Sequence, residues 1–96
     1  MGKPVDAVPT VLIDNDRVRV TKWFFAVGAE TGWHRHEYDY VVVPLTTGTL
    51  RLESADGEVE AGLEAGSPYF RDKGVEHNVI NASSGEFAFI ETEIKG

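Results

Sequence analysis

Short runs rich in Val, Ile, Phe, Tyr and Thr recur along the chain, each closed by glycine, proline or a small polar cluster. In order they are VLID, DRVRVTKWFFAV, GWHRH, YDYVVVPL, TLRLES, EVEAG, PYFR, EHNVI and EFAFIETEI. These are strand-forming residues, and the breaks leave little room for a long helix. Val18 and Val20 alternate with Arg17 and Arg19, and Leu50 and Leu52 with Arg51 and Glu53. That period of two predicts strands with one buried face. Three breaks, TTG at 46–48, ADG at 55–57 and SSG at 83–85, read as hairpin or turn connections. The pattern predicts an all-β domain and leaves barrel, jelly roll and sandwich open.

Size and composition narrow what can hold such a domain together. The chain has 96 residues, one domain's worth, and a core of that size is thin. Domains this small often add a disulfide, a metal or a partner subunit. There is no cysteine, so disulfides and thiolate metal sites are excluded. A metal on nitrogen or oxygen ligands and a subunit interface remain. The formal net charge of −7 disfavours nucleic acid and anionic membranes as partners. The opening MGKPVDAVPTVLIDND has no apolar core of a secretion signal, and no apolar run reaches the length of a membrane span. The expectation is a soluble cytoplasmic protein.

The candidate chemistry lies in the histidines, of which there are three. His34 and His36 form H-x-H in Gly32-Trp33-His34-Arg35-His36. On a strand, residues two apart point to the same face, so both imidazoles can reach one ion. Neutral imidazole is a common ligand for zinc, copper, nickel and iron. His77 lies in another predicted strand, GVEHNVIN. The spacing alone also suits two surface histidines on an edge strand and a hydrogen-bonded core histidine at 77.

The two segments together resemble the cupin family. Gly28-Ala-Glu-Thr-Gly-Trp-His34-Arg-His36-Glu-Tyr-Asp-Tyr40, continuing to Gly48, resembles the first cupin motif. Gly66-Ser-Pro-Tyr-Phe-Arg-Asp72-Lys-Gly74-Val-Glu-His77-Asn-Val-Ile-Asn81 resembles the second, and 17 residues separate Gly48 from Gly66. The resemblance implies a single cupin domain over 1–96, with motifs at 28–48 and 66–81. Its fold would be an antiparallel jelly-roll barrel, a double-stranded β-helix. It also implies one divalent transition-metal ion per subunit on His34, His36 and His77. The ion's identity among Fe, Zn, Ni, Mn and Cu is not legible. Asp72 stands where the family has proline, a change between two turn formers. The family's usual glutamate ligand would fall at 40 or 41, which are Tyr40 and Val41. A three-histidine site without the glutamate is therefore expected.

If the strand ran regularly, His34, His36, Tyr38 and Tyr40 would share a face. Tyr40 could then hydrogen-bond a metal-bound water or substrate, coordinate directly, or only fill space. Three neutral ligands leave the full charge of the ion and at least one open position. Asn81, and Glu37 or Asp39 if the strand is irregular, are candidates to orient the imidazoles. Gly74 is expected at a positive-φ turn. Trp33 and Tyr69 are expected near a pocket mouth, and Arg51 outward. Trp23, Phe24, Phe25, Phe87 and Phe89 are expected in the core or a subunit interface.

The family resemblance implies a small metalloenzyme acting on a small oxygenated metabolite, with dioxygenase-like chemistry leading. GWHRHEYDYVVVPL is also similar to small bacterial cupins, some associated with the degradation of β-alanine or related amino acids. A non-catalytic, metal-dependent small-molecule binding module of a catabolic pathway is the alternative, and a metal-free barrel a third. Single-domain cupins commonly dimerise. The thin core, the strands KWFFAV and EFAFIE, and the need to cover edge strands predict a homodimer here.

Overall fold

The structure is a computed structural model describing residues 5–96; residues 1–4 of the predicted domain and N-terminal stretch lie outside the described residues. The alternating runs become nine strands: β1 (Val8–Asp14), β2 (Val18–Phe25), β3 (His34–Arg35), β4 (Asp39–Pro44), β5 (Gly48–Ser54), β6 (Gly57–Leu63), β7 (Tyr69–Arg71), β8 (Glu76–Asn81) and β9 (Phe87–Ile94). They form a five-stranded sheet, β1-β2-β9-β4-β7, and a four-stranded sheet, β3-β8-β5-β6. The strand pairs are antiparallel. No helix of the described residues is long and apolar enough to cross a membrane.

Alternation sets what lies between the sheets. In β9, Phe87, Phe89 and Glu91 are buried while Ala88, Ile90 and Thr92 are less so. Tyr40 and Val42 do the same in β4. They meet Phe25, Leu50 and Val79 in one core cluster. Phe25 packs on Phe89 with ring centroids 5.4 Å apart and edge-on to Phe87 at 6.5 Å. Each phenylalanine taken fully out of water contributes about 2–3 kcal/mol before chain entropy is counted. Phe24, on the other face of β2, is exposed, and Trp23 is packed against the core from its edge.

The predicted turns fall between strands, but only one is a hairpin. Ala55 and Asp56 join β5 to β6, with Gly57 at φ +112°. The segments at 46–48 and 83–85 instead carry the chain from one sheet to the other. At the first crossing, a Cβ on Gly48 would run into the Ser83 hydroxyl and press on the Phe87 ring, so any larger residue there would force the Ser83 side chain to move. Asn81, expected beside the imidazoles, works at the second crossing. Its amide donates to the carbonyls of Phe25, Ala26 and Gly85, and its oxygen accepts from Ser83 N. It ties the end of β2 to the segment between β8 and β9.

β1 differs from every other strand. All seven of its residues are exposed, including Val8, Val11, Leu12 and Ile13. It pairs with β2 alone, with a register shift between Val11 and Ile13.

Candidate metal centre

The histidine site is built by one strand pair. His34 of β3 lies directly opposite His77 of β8. The pairing continues one step as a bent extension: His36 N donates to Val75 O at 2.9 Å, and Gly74 N to His36 O at 2.7 Å. Gly74 holds the expected positive φ, +95°, so the chain turns sharply into β8. His34 and His36, two apart, and His77 across the ladder therefore share one face. Their ligand atoms all lie within 4.8 Å of one another, so these three side chains could hold a metal ion.

The imidazoles are aimed, not merely close. His34 Nδ1 lies 2.9 Å from the Gly32 carbonyl and 3.3 Å from Thr31 Oγ1. A carbonyl only accepts, so Nδ1 carries the proton and Nε2 presents a lone pair. Thr31 Oγ1 donates to that same carbonyl and accepts from Val79 N, which fixes the turn. Asn78, buried on β8, takes Gly32 N on its oxygen and donates its amide to Glu30 and Glu53. A chain from Glu30 and Glu53 through Asn78 to Gly32 thus orients His34. Tyr40 orients His36 differently: the rings stack with centroids 3.8 Å apart and planes 17° from parallel.

The three Nε2 atoms converge. His36 Nε2 is 3.0 Å from His34 Nε2 and 3.1 Å from His77 Nε2. One imidazole nitrogen offers one in-plane direction, occupied by either a proton or a lone pair. It cannot make a well-aligned hydrogen bond to both neighbours. Two nitrogens sharing an ion at about 2.1 Å sit about 3.0 Å apart when their bonds are at a right angle. The separations observed fit a shared ion better than they fit a hydrogen-bonded chain. Burial supports the same state. It is the main cause lowering His36 to about 3 and His77 to about 4, with the neighbouring imidazoles adding to both shifts and Arg71 to that of His77. Both rings are therefore neutral at pH 7, as ligands must be.

Above the triad lies a cavity of about 40 Å³, open to solvent on one side. A water needs about 10–15 Å³ measured this way, so the space admits a few waters or one end of a small molecule. The four-stranded sheet side contributes Thr31, the histidines, Leu52 and Val79; the opposite wall contributes Trp23, Tyr40, Val42, Tyr69, Arg71, Phe89 and Glu91. Tyr40 is buried, and burial raises its hydroxyl well above the ordinary 10, which keeps it a phenol. Tyr38 is not among the lining residues, because the chain is irregular between β3 and β4. Tyr69 lines the cavity as expected, whereas Trp33 is 61% exposed and does not. Glu37 is exposed, and Asp39 accepts Lys73 N at 2.9 Å rather than orienting an imidazole. Arg51 is half-buried and pairs with Glu58 at 3.8 Å.

Thr31, Asn78, Arg71 and Glu91 carry no motif signal, and nothing in the sequence singled them out as site residues. Glu91 is the most informative: it is 8% exposed, and burial with the nearby Glu93 raises it to about 7. The Trp23 indole and Arg19 oppose that rise. The signal that could have found it is the run Phe87, Phe89, Glu91, which alternation places on one inward face.

Comparison with known proteins agrees with this architecture. The family described as Cupin domain matches residues 21–93. The chain belongs to the cupin family. Beta-alanine degradation protein BauB of Pseudomonas aeruginosa is 65% identical over 94 residues, which is 98% of each chain. A cupin domain from Bordetella pertussis, known from its crystal structure, superimposes with a TM-score of 0.97 at 58% identity, covering all of both chains. A double-stranded β-helix protein from Klebsiella pneumoniae shares the fold alone, with a TM-score of 0.79 at 18% identity over 100% of this chain and 83% of its own. This cupin is thus a small, all-β jelly roll with three histidines gathered at one end of its barrel.

Proposed function

We propose that this cupin holds one divalent transition-metal ion on His34, His36 and His77 and acts on a small oxygenated metabolite. Dioxygenase-like chemistry is the first reaction to test. The observation that carries the reading is the convergence of three Nε2 atoms at 3.0 and 3.1 Å, which hydrogen bonding among them does not satisfy. Bound there, an ion would supply Lewis acidity and open positions for reactants. The chain's own residues do the rest. Thr31 and the Gly32 carbonyl keep the His34 lone pair aimed, and the Tyr40 ring keeps His36 in place. The Tyr40 hydroxyl, held as a phenol, is a donor beside the site. The Pseudomonas relative's name associates it with β-alanine degradation, and a catabolic role for this chain is taken from that likeness.

Oxygen consumption by the iron-reconstituted protein, against β-dicarbonyls, keto acids and amino-acid catabolites, tests the catalytic half. Turnover that disappears in His77→Ala is the expected result. A ligand that raises Tm only in the metal-loaded protein, without being consumed, would make it a binding module instead.

We also propose a homodimer built on β1. The support is an edge strand with all seven residues exposed and four aliphatic side chains unpacked, which monomers rarely leave in water. Sedimentation should give twice the chain mass of 10.6 kDa. A monomer at micromolar concentration contradicts it.

A further inference from the structure

The wall facing the triad has an uncommon charge arrangement. Arg71 follows Tyr69 by two residues on β7, and both line the cavity. In the β4–β7 register Arg71 sits opposite Tyr40, and Tyr69 opposite Val42, so β7 presents them to the inner face. The Arg71 guanidinium lies over the Tyr69 ring, 4.7 Å from its centroid, and spends one N–H on the Phe70 carbonyl. A guanidinium has five N–H donors. Each ion pair found among the described residues uses Arg19, Arg51 or Lys95 as its cation; none uses Arg71. Arg71 is the one cationic side chain among the residues lining the cavity, and it has no carboxylate partner there.

The two phenols of that wall are donors as well. Tyr69 is shifted upward, chiefly by burial, and remains a phenol, and Tyr40 lines the same wall. Glu91 is the one carboxyl lining the cavity. The groups acting on it are Glu93, which raises it, and Trp23 and Arg19, which lower it; burial outweighs all three and holds it near 7. Below that pH it is a neutral acid, not an anion competing for Arg71.

We propose that the cavity binds a small organic carboxylate, its carboxylate group on Arg71 at the mouth and its other end toward the histidine triad. Arginine matches a carboxylate with two parallel charge-assisted hydrogen bonds, and the guanidinium is already held against Tyr69. The cavity's volume limits the part inside to a few heavy atoms, which suits a chain of about three carbons. This names the substrate class of the site proposed above and rests on that reading for what meets the far end.

The probes are 3-hydroxypropanoate and 3-hydroxypropanamide, alike in size and different in charge. Binding is measured by titration calorimetry on metal-loaded and on chelator-treated protein. The wild type is expected to prefer the acid at least tenfold. Arg71→Gln should remove that preference while keeping the wild-type stoichiometry of one ion per chain, since Arg71 is exposed and its one hydrogen bond goes to the Phe70 carbonyl and not to a histidine. Arg71→Lys, which keeps the charge but not the fork, should fall between the two. The proposal is overturned if acid and amide bind equally, if neither binds, or if Arg71→Gln keeps the preference. Failure to take up metal, with the preference for the acid intact in the chelator-treated protein, overturns the metal reading and leaves this one standing.

Discussion

The two walls of the cavity offer opposite chemistry. The histidine wall, built by β3, β8 and the bend at His36, presents three nitrogens, of which His34 Nε2 is fixed as a lone pair by the Gly32 carbonyl. The wall from β2, β4, β7 and β9 presents Tyr40, Tyr69 and Arg71, which donate hydrogen bonds or carry positive charge, and Glu91, which joins them as a donor only below about pH 7. A lone-pair wall suits a cation, and a donor wall suits an anion. A site that took only a metal would have no use for the second wall. A site that took only an anion would not bring the ring nitrogens of three imidazoles together. The contrast is the one that the proposed pairing of a metal ion with a carboxylate ligand requires.

The largest expected effect comes from breaking the lone-pair wall at its centre. His36 Nε2 is the atom common to both close contacts. His36→Ala should lower metal affinity at least a hundredfold, read by competition with a chromophoric chelator. If the barrel were built to stand without metal, the same change would leave chelator-treated and untreated protein equally stable.

A smaller loss should follow from loosening the support behind that wall. Thr31→Val keeps the shape and removes the hydroxyl that ties the Gly32 carbonyl and Val79 N together. Removing such an outer partner costs roughly 10- to 100-fold in metal affinity. Unchanged affinity would mean that His34 needs no help to point its Nε2 inward.

The donor wall should respond to pH in the opposite sense from the histidine wall, with metal removed. Glu91 is raised from 4.5 to about 7, so the native state keeps a proton that the unfolded chain releases across that window. Stability from this group falls as pH rises from about 4.5 to 7. Glu91→Gln removes the penalty and should stabilise the metal-free protein by about 2–3 kcal/mol at pH 8, and by little at pH 4. Denaturation at the two pH values measures the difference; a gain at pH 4 as large as that at pH 8 would contradict it. His36 and His77 are lowered to about 3 and 4 from 6.5, so the unfolded chain takes up protons that the native rings refuse. Their effect is a loss of stability as pH falls below about 6.5. In Glu91→Gln, where nothing offsets it, the acid loss should be steeper than in the wild type.

The same two walls differ in how far they could be read from the residues. The histidine wall was legible because its members are rare and their spacing is local. H-x-H forces one face, and the two cupin-like segments put His77 on a second strand. The strands themselves were legible too, since each apolar run became one. The donor wall depends on register. Arg71 and Glu91 are common residue types, and their inward position follows only once β7 is seen to pair with β4, and β9 with β2 and β4. The regular strand expected from His34 to Tyr40 is broken after Arg35, which moves Tyr38 out of the cavity while Tyr40 returns to stack on His36. Asn81 looked like a partner for the imidazoles because it closes the second motif, yet loop carbonyls claim its amide. Asn78, three residues earlier and with no motif to mark it, does the orienting.

Metal content decides the central claim most directly. The protein is purified without a histidine tag, its metal is quantified per chain, and Tm is measured before and after chelation. The expected result is about one divalent ion per chain and a lower Tm once it is removed, with both signals gone in His36→Ala. Substoichiometric metal, with a Tm that chelation leaves unchanged, would contradict it.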